Sequence, residues 1–449
     1  MRLWNRSLRQ STISNNKDLI LFKILISRCG VFTEMAIPYT IECLFSYKKA
    51  VFYETHSMLE PFQNKRAFMN NNNALILSGG GARAAYQVGV LSAMGKMLPK
   101  HTPLPFPILC GTSAGALNAT MLATQANNFS KAVSSLAFVW RHLTPDQIYT
   151  VGRWPVASSL TKTLLSLFHL HNHDNSIAIM DNSPLEELLS NHLDFTRINN
   201  AIDNQQLKAL AITAMSYSTG ESTTFFQGTP DLHAWQGNRR KGVTATLGVD
   251  HLLASSAIPT IFPAHKIQNH YYGDGAIRQK SAIYPALKLG ADKLFIIGVS
   301  GNRSAKKWAP QEKDVDTSAP SMAQILGQLL NSAFIDNLED DIYQLEIMNS
   351  LIRDLPKDKQ ANHQNLPTET LIISPSEELN EIAHHYIATL PKNIRILLKA
   401  TGGSTREKIS SAASYLLFTP QYCRALMELG YKDAMWEKDR ITAFFEHSH

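Results

Sequence analysis

Gly111-Thr112-Ser113-Ala114-Gly115 sets one serine between two glycines, where an apolar strand read as Phe106 to Cys110 gives way to a helix read from Ala114 through Leu122. A serine on so tight a strand-to-helix turn stands out as a nucleophile. It lies beside the free N–H groups that open a helix and favour negative charge. Gly111 and Gly115 suit the bend because a side chain at either position would crowd it. By itself the pentapeptide also fits an ordinary glycine-rich turn, so its neighbours decide between the two readings.

Upstream, a strand read as Ala74 to Ser78 runs into Gly79-Gly80-Gly81-Ala82-Arg83, and an apolar-periodic helix follows through Val88, Leu91 and Met94. Three consecutive glycines let backbone N–H groups converge on a small negative charge, with Arg83 as a buttress. Gly79, Gly81 and Ala84 also fit a dinucleotide fingerprint, which requires an acid about 20 residues further on. Between Glu60 and Asp146 the chain has no Asp or Glu, so that reading fails. Two glycine-lined helix starts in one strand-helix-strand-helix unit lie side by side at the carboxyl edge of a parallel sheet. One offers a nucleophile and the other an oxyanion hole, as acyl transfer requires. The acid-free stretch pushes the base far along the chain. The candidate is Asp274 in Tyr271-Tyr272-Gly273-Asp274-Gly275-Ala276, where Asp-Gly taken alone reads equally as a hairpin turn.

On these motifs the chain resembles the patatin-like phospholipases: Gly79 to Arg83 is similar to their glycine-rich oxyanion motif, Gly111 to Gly115 to their nucleophile elbow, and Asp274-Gly275-Ala276 to their aspartate motif. Supporting matches are the small-residue stretch Ala254-Ser255-Ser256-Ala257-Ile258-Pro259 and Asp181-Asn182-Ser183-Pro184-Leu185. The similarity covers about residues 74 to 300, and Ser414 to Phe418 and Leu429-Gly430-Tyr431 resemble the tail of bacterial members. The resemblance implies a three-layer α/β/α fold with a mixed, mainly parallel central sheet. It also implies a Ser113/Asp274 dyad without histidine, in which Asp274 takes the serine proton, an acyl-enzyme forms on Ser113, and water releases the acyl group. The oxyanion would be held by the N–H groups of Gly79, Gly80 and Gly81, with Arg83 as a supporting charge. No cofactor or metal is implied. The substrate would be a phospholipid or other acyl lipid met in peripheral membrane contact, in the cytoplasm or at a membrane, with export to a target cell left open. An esterase or thioesterase acting on soluble esters would share every catalytic residue, and a non-catalytic lipid-binding regulator would share the fold.

Other features compete for attention. A Ser-Asp-His triad would need a histidine after Asp274, and His363, His384, His385, His447 and His449 lie there without a motif. His169-Leu170-His171-Asn172-His173-Asp174 satisfies an acyltransferase or zinc spacing but lacks partner motifs and reads as a solvated loop. Leu160, Leu164, Leu167 and Phe168 share a helical face, with Trp154 upstream: an ordinary packed helix, or a lid over a lipid site.

Composition bounds the setting. The 449 residues, 44% hydrophobic and 18% charged, can bury a large core. Of the formal net charge of +6, the surplus sits in residues 1–73, with ten Lys/Arg against five Asp/Glu; the remainder has 33 against 32 and no nucleic-acid footprint. Cys29, Cys43, Cys110 and Cys423 have neither metal nor disulfide spacing, which points to a reducing compartment. Residues 1–73 read as a loosely docked arm, with Met35, Met58 and Met69 as alternative starts. Its apolar run, Leu19 to Ile26, is broken by Lys23 and too short to span a membrane. Residues 74–300 read as the catalytic domain. Residues 301–449 read as a mainly helical extension and an oligomer surface. Within this region we expect a strand at Lys293 to Val299, a polar linker at Ser300 to Ser318, a long helix at Ala323 to Leu351, a strand at Leu371 to Ser374, and a helical pattern from Glu377 to Leu390.

Overall fold

The computed structural model describes residues 72–151, 178–300, 322–333, 337–354, 368–400 and 412–446. Its strands are β1 (Asn73–Leu77), β2 (Ile108–Thr112), β3 (Thr150–Val151), β4 (Met180–Asp181), β5 (Ala209–Ser216), β6 (Ser222–Gly228), β7 (Trp235–Gly237), β8 (Arg240–Thr244), β9 (His265–Ile267), β10 (His270–Asp274), β11 (Lys293–Ile297) and β12 (Glu369–Ile373). β1 and β2 are buried at every position, the pattern of strands covered on both faces.

The main sheet runs β12-β11-β1-β2-β5-β6-β8-β7, and β3 and β4 form a separate pair. From β12 to β5 all neighbours are parallel. The β5–β6 and β7–β8 pairs are antiparallel hairpins, while β6 and β8 are parallel. β10 pairs antiparallel with both β5 and β9. Alternation along the strands divides the core in two: Leu75, Leu77, Leu109, Leu210 and Ile212 face one layer, while Ala74, Ile76, Ile108, Cys110, Ala209 and Ala211 face the other. The first layer holds the helices Ala85–Met97, Ala114–Ala123, Phe129–His142, Val249–Ser256 and Pro420–Trp436. The second holds Tyr284–Lys288 and, through Leu345 and Ile342, Asn337–Arg353. The expected three-layer α/β/α arrangement with a mixed, mainly parallel sheet is therefore present.

Several boundaries move. The strand expected from Phe106 begins at Ile108, because Pro107 has no N–H to give to a ladder; its carbonyl instead accepts from Lys208 and Ala209. The expected Ala323 to Leu351 helix is found as Met322–Asn331 and Asn337–Arg353, with 334–336 outside the described residues. The Glu377 to Leu390 pattern is a shorter helix, Leu379–Tyr386, followed by a 3-10 turn, Ile387–Thr389. β12, downstream of residue 300, joins the sheet beside β11. Leu160, Leu164, Leu167, Phe168 and the histidine-rich run from His169 lie outside the described residues. Among the described residues, no helix is long and apolar enough to cross a membrane.

Candidate active site

The site is built where two strands meet end to end. β2 runs up one edge of β5 and stops with Thr112 opposite Thr213. β10 runs down the same edge and stops with Asp274 opposite Ala214. Consecutive residues of β5 thus set the end of β2, and with it Ser113, against the end of β10. Ser113 follows at φ 54 and is 2% exposed. A non-glycine residue in this region carries strain of about 1–3 kcal/mol and needs the surroundings to hold it there.

Those surroundings can be named. Ser113 N–H donates to Ser255 Oγ at 2.9 Å, and Ser255 Oγ donates to the Thr213 carbonyl at 2.6 Å, clamping the elbow to β5. The Ser113 N–H is therefore already used, and any oxyanion donors must come from elsewhere. Gly115 lies so close to the end of β1 that a Cβ there would overlap the Leu77 and Ser78 carbonyls. That approach brings the nucleophile helix directly onto the strand that feeds the glycine loop. Asn118 on this helix donates to Gln87 Oε1 at 2.9 Å and accepts from Trp140 Nε1 at 2.8 Å. Gln87 in turn donates to the Ser78 carbonyl at 2.8 Å. This buried chain ties the two glycine-lined turns together.

Gly79, Gly80 and Gly81 are buried at the end of β1 and lead into a 3-10 turn, Gly81–Ala84. Gly81 has φ +54, and a Cβ on it would overlap the Tyr415 carbonyl oxygen. Arg83, expected as a charge supporting the oxyanion, turns toward the C-terminal part of the chain and is 2% exposed. Its Nε donates to Ser414 Oγ at 2.9 Å and its Nη2 to Asn380 Oδ1 at 2.6 Å and Asn331 Oδ1 at 3.4 Å, with Cζ 3.9 Å above the Tyr415 ring. It buttresses the loop from behind.

Asp274 is fully buried. Its N–H donates to the Ala257 carbonyl, and Oδ1 accepts from the Ala276 N–H at 3.0 Å, while Oδ2 is left without a hydrogen-bond partner and open to a proton. Burial raises its pKa from 3.8 to about 7, and the Ser113 side chain and the Ala276 N–H pull it back. Tyr217 is close enough for the Asp274 charge, after burial, to raise its own pKa. Gln279 Oε1 accepts from Thr112 Oγ1 at 2.7 Å, just behind the elbow. No described histidine hydrogen-bonds to Asp274. His384 and His385 sit on Leu379–Tyr386, and His363, His447 and His449 lie outside the described residues. Among the described residues no three His, Cys, Asp or Glu side chains cluster as metal ligands. Ser255 was within reach of sequence reasoning, since it sits in the small-residue stretch ahead of the aspartate. Thr213, Tyr217 and Gln279 carried no signal.

A family model for the patatin-like phospholipases matches residues 75–287, a span that contains both glycine-lined turns and Asp274. Residues 75–287 are a patatin-like phospholipase domain. A cGAMP-activated phospholipase of Pseudomonas aeruginosa (strain BWHPSA011 / Pa011) is 28% identical over 205 residues, covering 46% of this chain and 52% of the relative. The chain thus spans about half the length of that curated relative. Among solved structures, human GIVD cytosolic phospholipase A2 aligns with a TM-score of 0.39 and 12% identity over 91% of this chain and 64% of that one. The patatin domain ends within the Tyr284–Lys288 helix, so β11, β12 and the helices beyond lie outside the matched span.

Proposed function

We propose that the chain hydrolyses acyl ester bonds of lipids, with Ser113 as nucleophile and Asp274 as its base. The observation that carries this reading is the end-to-end meeting of β2 and β10 on one edge of β5, which pairs a strained serine turn with a buried carboxylate. As Ser113 Oγ attacks the ester carbonyl, Asp274 takes the hydroxyl proton. The N–H groups of Gly79, Gly80 and Gly81 hold the tetrahedral oxyanion, each such donor worth about 10²–10³ in rate. Collapse expels the alcohol, which leaves with the proton from Asp274, and an acyl group stays on Ser113. Water then attacks that ester with Asp274 again as base and frees the fatty acid. A pKa near 7 suits a carboxyl that must both accept and return a proton at neutral pH. A lipid substrate is supported by the patatin-like domain, and it implies peripheral contact with a membrane surface.

The test is labelling with a fluorophosphonate, followed by fatty-acid release from mixed phospholipids. Wild type should label and release acid. Ser113→Ala should do neither, and Asp274→Asn should label about 10² or more times slower. Labelling that survives Ser113→Ala sinks the mechanism. Turnover of soluble esters with no release from phospholipid would sink the lipid assignment.

A further inference from the structure

Directly after Asp274 the chain lines a cleft. The β7–β8 hairpin contributes Arg239, Arg240 and Lys241 to it, and the segment following the aspartate turn contributes Arg278 and Lys280. The cleft opens to solvent. Five cations and no carboxylate are found among its described lining residues, in a chain whose Lys/Arg and Asp/Glu are nearly balanced beyond residue 73. Among the described residues, Glu221, against Lys241 at 3.4 Å, and the buried Asp341, whose charge Arg240 favours, act on this cluster from outside the lining.

The hairpin turn makes the basic character costly. Its two residues are Asn238 and Arg239, and Arg239 has φ 57. A two-residue turn of this kind favours glycine at that position, and a side-chain-bearing residue there costs about 1 kcal/mol or more. The chain keeps an arginine at this position, and that residue lines the cleft. The other cations are held in place: Arg278 Nε donates to the Gly220 carbonyl at 2.8 Å, and Arg240 Cζ lies 3.6 Å above the Tyr284 ring.

The aromatic walls limit what can bind. Trp235 stacks on Phe226 with centroids 4.9 Å apart, and its ring also lies so close to Gly242 that a Cβ there would overlap it. Tyr284 is covered by Arg240. Both rings are already engaged by protein groups, so recognition rests on guanidinium and ammonium groups, which favour phosphate oxygens. The polar floor includes Gln279, which also accepts from Thr112 beside the elbow, and Thr224, whose hydroxyl lies 3.0 Å from that of Thr213. We propose that this cleft is a binding site for a compact phosphate-class polyanion, built on the same loop that presents Asp274. The ligand is a free anion or the phosphomonoester headgroup of a membrane lipid.

The experiment uses the full chain and needs no hydrolase activity, so its outcome is independent of the catalytic proposal. Inorganic pyrophosphate binding is measured by calorimetry at about 0.15 M salt. Cosedimentation compares vesicles of phosphatidylcholine alone with vesicles also containing phosphatidic acid. The Arg239→Gly/Lys280→Gln variant should bind about 10-fold or more weakly, while its melting temperature holds or rises because glycine relieves the turn. Lys280→Gln alone, at an exposed position, should lose affinity in the same direction. Lys432→Gln, on the Pro420–Trp436 helix, should bind as wild type. Pyrophosphate binding without vesicle binding assigns a free anion, and phosphatidic acid binding displaced by pyrophosphate assigns a headgroup. The proposal is overturned if wild type binds neither probe, or if both cleft variants bind as wild type does.

Discussion

Asp274 is a carboxyl whose charge is supported only by its own turn and by Ser113, and that isolation has consequences for both activity and stability. Because burial raises its pKa to about 7, the base form fills in as pH rises through neutrality. The rate of fluorophosphonate labelling should therefore climb between about pH 6 and 8, and a rate flat over that range would contradict the assignment. The stability argument has the opposite sign. The folded chain holds this proton up to a higher pH than the unfolded chain does, so stability is full below the ordinary value of 3.8 and falls as pH rises toward 7. Asp274→Asn keeps an oxygen to accept from the Ala276 N–H and removes the charge. It should melt higher than wild type at pH 8, reflecting about 4 kcal/mol of extra stability, with the gap nearly closed at pH 4. Scanning calorimetry at the two pH values checks this.

At the scale of elements, glycines decide how closely the parts approach. The Ala85–Met97 and Pro420–Trp436 helices cross with Gly89 against the Met427 carbonyl and Gly430 against the Tyr86 carbonyl, each too close for a Cβ. On an exposed helix, Gly→Ala stabilises by about 1 kcal/mol. Here Gly89→Ala and Gly430→Ala should each destabilise by about 1–3 kcal/mol, because the helices must part to admit a methyl group. Chemical denaturation of the two variants reads the sign directly. The strand-helix alternation that precedes both turns was legible in the sequence from its apolar runs. The helix crossing was not, since a glycine in a helical pattern does not say which backbone it touches.

At the scale of the whole molecule, the region beyond the patatin domain is packed into the core that carries the site. Tyr415, Leu416, Tyr422 and Leu426 share a hydrophobic cluster with Leu77 and Ala82. Tyr149 donates to the Leu416 carbonyl at 2.7 Å, and Tyr86 donates to Asp433 Oδ2 at 2.9 Å. Arg83 fastens the glycine loop to Ser414, Asn380 and Asn331. Arg83→Met would take a partner from the buried Ser414 hydroxyl and the half-buried Asn380 and Asn331 amides and should cost about 2–3 kcal/mol, with slower fluorophosphonate labelling. Arg83→Lys keeps the charge but not the fork, and should fall between. Wild-type melting and labelling in Arg83→Met would show that the tail is fastened by its apolar contacts alone.

What the sequence determined by itself was local and patterned: the apolar strands, the glycines at tight turns, the missing acids between Glu60 and Asp146, and the motifs that mark the patatin domain. Each is readable because backbone sterics and burial act within a few residues of chain. The tertiary structure decided what depends on residues far apart. It set Asp274 opposite Ala214 beside the end of β2, supplied Ser255 as the clamp on Ser113, turned Arg83 toward the C-terminal segments, and gathered Arg239 and Lys280 around one cleft. These contacts join positions up to 331 residues apart, and no pattern in the chain marks which distant partner a buried polar group will find.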